Sequence, residues 1–380
     1  MFAGSINRSV HPVEFRASET MRYFGFLILA VAALAVFFTG FSFYEWGALG
    51  QHQLGIRKPP DYSFYYIARF AAALILSAIV VIGLYRLRAT GSAIDSKRLP
   101  TRKRRGAWAM LIFAVACAGL FILNAGLFNR LSLEDHALEW ISALLPLAAS
   151  VGFAIAFVHI ARAPERDGRR RVALAFTALL SLALFIIGME EISWMQRVFD
   201  IATPSMFAEN QQQEMNLHNM HSIVIGQAYK IVMFFALLLL PFLADTAPRN
   251  RLFDLFADFM PSRFVFAVSA PWVAFNYNEW NFIGSQLFVT IALAMLVCYL
   301  RAAWGRLDAR ELALFGASAV FILLAQPMFL LLGDRFLRMW DASEYVELFI
   351  AFGLSLYAAE TIKKLIARYR DGRDDSDLRN

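Results

Sequence analysis

The stretch RRRVALAFTALLSLALFIIGMEEISWMQR, Arg169 to Arg197, decides how this chain is to be read. Three arginines precede eighteen uncharged residues, Val172 to Met189, and two adjacent glutamates close the run. A helix of about 20 residues crosses a hydrocarbon core of roughly 30 Å, because each residue adds about 1.5 Å. The run therefore reads as a membrane helix with its basic start and its acidic end on opposite sides of a bilayer.

The pattern recurs along all 380 residues. A composition 59% hydrophobic and 17% charged, with 36 phenylalanines, excludes an ordinary soluble domain. Spans are expected at 22–44, 65–85, 107–128, 138–160, 172–192, 219–243, 263–278, 282–300, 311–332 and 345–365, which makes an all-α, polytopic transmembrane helix bundle of about 10 spans. Pro271 interrupts the seventh, and NYNEWN, Asn276 to Asn281, leaves a short turn before the eighth. Charge supports the count, because Lys and Arg collect on the cytoplasmic side. With the N-terminus inside, 28 of the 36 basic residues fall on that side, six fall outside, and Arg69 and Lys230 lie within spans. Omitting the seventh span would carry the Arg301 to Arg310 loop and the basic tail outside, so both termini are expected in the cytoplasm.

The net charge of +6 then reflects topology and contact with anionic membrane lipids, and makes no case for nucleic acid. The first span is too long for a signal-peptide core and reads as an uncleaved anchor. Cys117 and Cys298 fall inside spans as small apolar packing residues. Residues 1–369 are expected to form a single transmembrane domain with a polar extracytoplasmic re-entrant or interfacial segment at 193–218, and 370–380 a disordered cytoplasmic tail.

This topology puts Glu190 and Glu191 at the extracytoplasmic end of the fifth span. In TPSMFAEN, Thr203 caps and Pro204 begins a short helix lying in the interface. NQQQEMNLHNMHS, Asn210 to Ser222, then leads into the sixth span. A helix beginning near Asn210 would set Glu214, His218 and His221 within about 60° of one another. One carboxylate and two imidazoles on one face are suitable ligands for a divalent metal, Zn²⁺ first among them. Glu190 or Glu191 would complete that shell or act as general base on bound water, and a helix continuing through ISWMQR would set Arg197 over Glu190 to orient it. The catalytic set is thus Glu190, Glu191 and Arg197. The plainer alternative is that these side chains cap and bridge helices at a wet interface, where charge is cheap.

Substrate contacts are expected from Trp194, Gln196 and Asn219 in the same polar segment, from Glu279 among the asparagines of NYNEWN, and from Arg335 and Arg338. Trp194 also suits the aromatic belt, and the two arginines also suit ion pairs with Asp334 and Asp341. Lys230 must face the bundle interior and find a carboxylate, carbonyls or water. The cytoplasmic ends read as basic and otherwise featureless, which directs attention to an extracytoplasmic cavity.

The combined run GMEEISWMQRVFD…TP…NQQQEMNLHN resembles the signature of a group of bacterial polytopic membrane proteins, over roughly Gly188 to Asn219. The resemblance implies a shared site there and a bacterial inner membrane, without implying a reaction. The CAAX-type membrane proteases offer a second comparison, through their paired glutamates followed by an arginine. Their arginine comes four residues after the second glutamate and their histidines sit on separate helices, whereas Arg197 comes six after Glu191 and both histidines here share one segment. That assignment is not carried over.

Two functions follow as expectations. One is a metal-dependent hydrolase or transferase acting on a lipid or lipid-linked substrate. The other is a proton- or ion-coupled transporter or flippase that uses the same Glu, His and Lys residues; a scaffold without chemistry is a third.

Overall fold

The computed structural model describes residues 11–52, 59–133, 136–164, 168–207, 214–217 and 222–371. Among these residues there is no strand, and nine helices are long and apolar enough to cross a membrane. The first helices are α1 (His11–Leu49), α2 (Phe64–Arg86), the short α3 (Ala93–Ser96), α4 (Thr101–Leu123) and the short α5 (Ala125–Leu131). Then come α6 (Ala137–Ala161), α7 (Gly168–Glu191) and α8 (Ser222–Phe234), the last continuing through a π turn, Phe235–Leu239, to Thr246. After the short α9 (Arg263–Ser269) the chain ends with α10 (Ile283–Gly305), α11 (Ala309–Leu331) and α12 (Asp341–Asp371).

Hydrogen bonds between distant segments identify the two ends of the bundle. At one, the glutamate end, Asn281 accepts from the Asp61 amide at 2.9 Å, and Arg335 donates to the Ile122 carbonyl at 2.8 Å. At the other, the arginine end, Arg263 donates to the carbonyls of Lys97 and Ala93, both at 2.8 Å. Successive long helices run alternately between these ends. Inside, α10 is enclosed on nearly every side, while most of the α1 surface is exposed. An open apolar groove of about 350 Å³, lined by Val36, Phe37, Gly40, Phe41, Tyr44 and Tyr65, runs between α1 and α2.

The expected seventh span is not one helix. After the seven residues of α9, Pro271 lacks the N–H that a helix needs, and the chain tightens into a six-residue 3₁₀ turn, Ala270–Phe275. The turn is buried, and Gln326 of α11 donates to the carbonyls of Val273 and Ala274 at 3.2 and 2.9 Å. Irregular backbone is tolerated at membrane depth only under such cover.

Three further expectations are corrected. α7 stops at Glu191 and does not continue through ISWMQR, because Ser193, Trp194 and Met195 all take positive φ of 46°, 55° and 64°. The interfacial helix after Pro204 is a single 3₁₀ turn, Ser205–Phe207. α12 carries the chain in helix through Asp371, so the expected tail begins no earlier than 372, outside the described residues.

The arginine end is also far from featureless. Arg263 pairs with Asp245 at 2.8 Å and with Glu311 at 3.5 Å; Glu311 also pairs with Arg306, and all but Asp245 are at most one-tenth exposed. Tyr299 donates to Asp245 at 3.3 Å. These charges are distant in sequence and each sits beside an apolar run, which is why composition concealed them.

Candidate functional site

The site is built around the close packing of α6 on α7. Ser150 donates to the Ser181 carbonyl at 2.7 Å and Ser181 returns the bond to the Ser150 carbonyl at 2.9 Å, a reciprocal pair that fixes the helices in register. Nearer the glutamate end, Gly188 allows still closer approach: a Cβ there would lie 2.6 Å from Leu147 and 2.8 Å from the Ala143 carbonyl oxygen. This contact brings Glu191 beside Ser142, whose hydroxyl donates to it at 3.4 Å.

The three left-handed residues that follow turn the chain back on itself. Trp194 donates its indole N–H to Glu190 at 2.8 Å, and the Leu217 amide donates to the other oxygen of the same carboxylate at 2.7 Å. Trp194 remains 37% exposed and meets Phe185 edge to face. Glu190 therefore ties two stretches of the 193–217 segment to the end of α7.

Glu214 performs the same task from the far side. One of its oxygens accepts from Ser193 at 2.9 Å and from Asn216 at 2.8 Å, and the other pairs with Arg197. The buried amide of Gln196 adds a bridge, accepting from the Met215 N–H at 2.6 Å and donating to Thr203 at 3.0 Å. Arg197 was expected over Glu190 on a continuing helix; the turn instead delivers it to Glu214.

Glu214 does not lie on a helix, so the single helical face expected for Glu214, His218 and His221 is not formed. With three donors on its carboxylate, Glu214 is poorly suited to be a metal ligand, because a cation would have to displace Arg197. Among the described residues no three His, Cys, Asp or Glu side chains are grouped to hold a metal ion. His218, Asn219 and His221 lie outside the described residues.

Glu191 has different company. Its charge and that of Glu347 act on Tyr229 of α8, while Glu344 is within electrostatic reach of Glu139, Glu191, Glu347 and Arg338. Four carboxylates from α6, α7 and α12 thus converge with one phenol at the glutamate end. The sequence reading passed over Glu347 because it sits in the apolar run YVELFIAFG; a lone carboxylate three residues after Glu344 within a span was the available signal.

The remaining expected contacts are dispersed. Glu279 accepts from Lys230 at 2.6 Å, so the lysine does face the interior and find a carboxylate. Arg338 pairs with Asp341 at 2.8 Å and donates to the Ser132 carbonyl at 2.5 Å. The exposed Arg335 donates to the last turn of α4. A buried ion pair that the sequence reading left unjoined links Arg69 to Glu45 in α1, with Gln286 accepting from Arg69 at 2.9 Å and Tyr65 donating to Glu45 at 2.9 Å.

Comparison with protein-family models, with curated proteins and with solved structures yields no match to this chain.

Proposed function

We propose that the chain is a multi-pass protein of a bacterial inner membrane, crossing ten times with both termini cytoplasmic, and that its extracytoplasmic glutamate end is the active site of a hydrolase or transferase acting on a lipid or lipid-linked substrate. The tenth crossing is the broken segment through α9 and Pro271, whose two extremities bond to opposite ends of the bundle.

One observation carries the enzymatic reading: the convergence of Glu139, Glu191, Glu344 and Glu347 on Tyr229. Carboxylates so crowded in a medium of low dielectric cannot all be ionised, and they titrate as a group. A protonated member beside an ionised one is the acid and base pair that hydrolysis or group transfer needs. Glu191, held by Ser142 at the mouth of the cluster, is the base in this reading. Glu190, Glu214 and Arg197 support it by holding the 193–217 segment over the site. Trp194 and Arg335, both exposed at this end, suit an amphipathic headgroup, and the groove between α1 and α2 offers an apolar surface for its chains. A divalent ion, zinc by its donors, would take nitrogen ligands from His218 and His221 and an oxygen from Glu191.

The test is conversion of lipids. Proteoliposomes made with a bacterial lipid extract are incubated and followed by mass spectrometry, with metal content measured on the same protein. A lipid species consumed by the parent should survive with Glu191→Gln at a rate lower by about 100-fold or more. Equal conversion by both proteins would remove Glu191 from the chemistry.

A transporter remains the second reading because buried ion pairs occur at both ends: Lys230 with Glu279 at one, and Asp245, Arg263, Glu311 and Arg306 at the other. Uptake of protons by sealed proteoliposomes, abolished by Glu279→Gln, would favour it.

A further inference from the structure

The ion pair of Lys230 and Glu279 stands in a polar chamber whose walls are short of partners. Ser285 of α10 donates to Glu279 at 3.4 Å, and Gln227 lies three residues before Lys230, one turn away along α8. The floor is aromatic: Phe234 of α8 stacks on Phe288 of α10 at 4.7 Å, and Trp272 meets both rings edge-on, at 6.3 and 5.7 Å. Trp272 therefore sits one turn deeper than Lys230 and Ser285, and Asn276 follows it along the same broken segment, three residues before Glu279.

Several of these side chains are buried with polar atoms unmatched among the described residues. They are the carbonyl oxygen of Gln227, the indole N–H of Trp272, and both amide atoms of Asn276. Gln227 is 5% exposed, Trp272 0% and Asn276 2%. Buried polar atoms are nearly always hydrogen-bonded, and leaving one unmatched costs free energy. So many along one broken helix point to an occupant that supplies the missing bonds.

The chemistry of the walls limits what that occupant is. The fixed charges already cancel, since the ammonium of Lys230 faces the carboxylate of Glu279. A cation or an anion would break this pair and leave a buried charge uncompensated. The unmatched atoms include both donors and acceptors, so the occupant must offer both. Hydroxyl groups do so without charge. Access exists from the glutamate end, where Glu279 keeps 15% of its side chain exposed.

We infer that this chamber, bounded by Gln227, Lys230, Trp272, Asn276, Glu279 and Ser285, binds a neutral polyhydroxylated group such as the sugar or polyol headgroup of a lipid. The inference is independent of the chemistry assigned to Glu191.

The test uses the full-length protein in phosphatidylcholine nanodiscs and radiolabelled n-octyl-β-D-glucoside below its micellar concentration. n-Octanol and n-octylphosphocholine serve as competitors with the same chain. Saturable binding is expected, resisted by neither competitor. Gln227→Leu and Trp272→Phe, which leave the ion pair in place, should each weaken it about tenfold, the equivalent of one hydrogen bond. The melting temperature of Gln227→Leu should not fall, since an unmatched polar atom is removed. Glu191→Gln should bind as the parent does, so loss of catalysis and loss of this site are told apart. Binding that does not saturate, that octanol or octylphosphocholine displaces, or that both variants retain unchanged would overturn the proposal. A chamber filled only by water would show no saturable binding together with a lower melting temperature for Gln227→Leu, and that result also overturns it.

Discussion

Glu190, Glu191 and Glu214 are of one residue type within 25 positions, and their partners give them different work. Glu190 and Glu214 are acceptors for N–H and O–H donors of the 193–217 segment, so their charge is spent on holding chain. Glu191 faces other carboxylates and a phenol, where a proton must be shared. At this scale Glu214→Gln should loosen the segment by about 1–2 kcal/mol, because the ion pair to Arg197 is lost while a carbonyl acceptor remains. The measurement is limited trypsin digestion: cleavage after Arg197 should quicken in the variant and stay slow in the parent. Equal rates would show that Glu214 does not hold the turn. The sequence placed all three glutamates at one level of the membrane, but partner assignment depends on the φ of Ser193, Trp194 and Met195, a left-handed turn that no residue type in ISWMQR announces.

Among the elements, two contacts position the site. The first is Gly188 against α6, where even one methyl group meets a backbone carbonyl that cannot move away without shifting the helix. Gly188→Ala should therefore destabilise the protein by about 1–3 kcal/mol. It should also lower any Glu191-dependent conversion, since Glu191 lies less than a turn further on; thermal unfolding and the lipid assay read the two effects. A stable, fully active Gly188→Ala variant would contradict the packing described. The second is the junction of α8 with the broken segment after α9, closed by Lys230 and Glu279. Lys230→Met leaves a carboxylate unpaired in the interior and should cost about 3–5 kcal/mol, whereas the double change Lys230→Met with Glu279→Gln should recover most of it. A double-mutant cycle in the thermal midpoint measures the coupling. The helices themselves were legible as apolar runs, and Pro271 marked the weak seventh span. That its carbonyls are served by Gln326, fifty or so residues later, is a consequence of the neighbour the fold supplies.

For the whole molecule the prediction concerns topology. Ser96 lies at the arginine end, on α3, and the exposed Asp334 lies at the glutamate end, after α11. Native Cys117 and Cys298 are buried, so single cysteines introduced at these positions report their own accessibility. With ten crossings, a membrane-impermeant maleimide should label Asp334→Cys in spheroplasts and Ser96→Cys only after the membrane is opened. Labelling of both, or the reverse order, would refute the orientation. The buried charges at the arginine end make this test more pointed, because they show that polar side chains occur at both ends.

By itself the sequence determined the solvent of this protein and the placement of its helices. Long apolar runs have no other stable setting, and the distribution of Lys and Arg orders them. It also drew attention to Gly188–Asn219, because paired carboxylates at a span end are costly without compensation. Only the tertiary structure decided which carboxylates share space. The meeting of Glu139, Glu191, Glu344 and Glu347, the burial of Arg69 against Glu45, and the unmatched polar atoms around Lys230 all join residues from separate helices. Hydrophobicity drives a segment into the membrane one helix at a time, but a site arises from which faces pack together. Close contacts such as that of Gly188 with Ala143 settle that choice, and linear spacing does not record them.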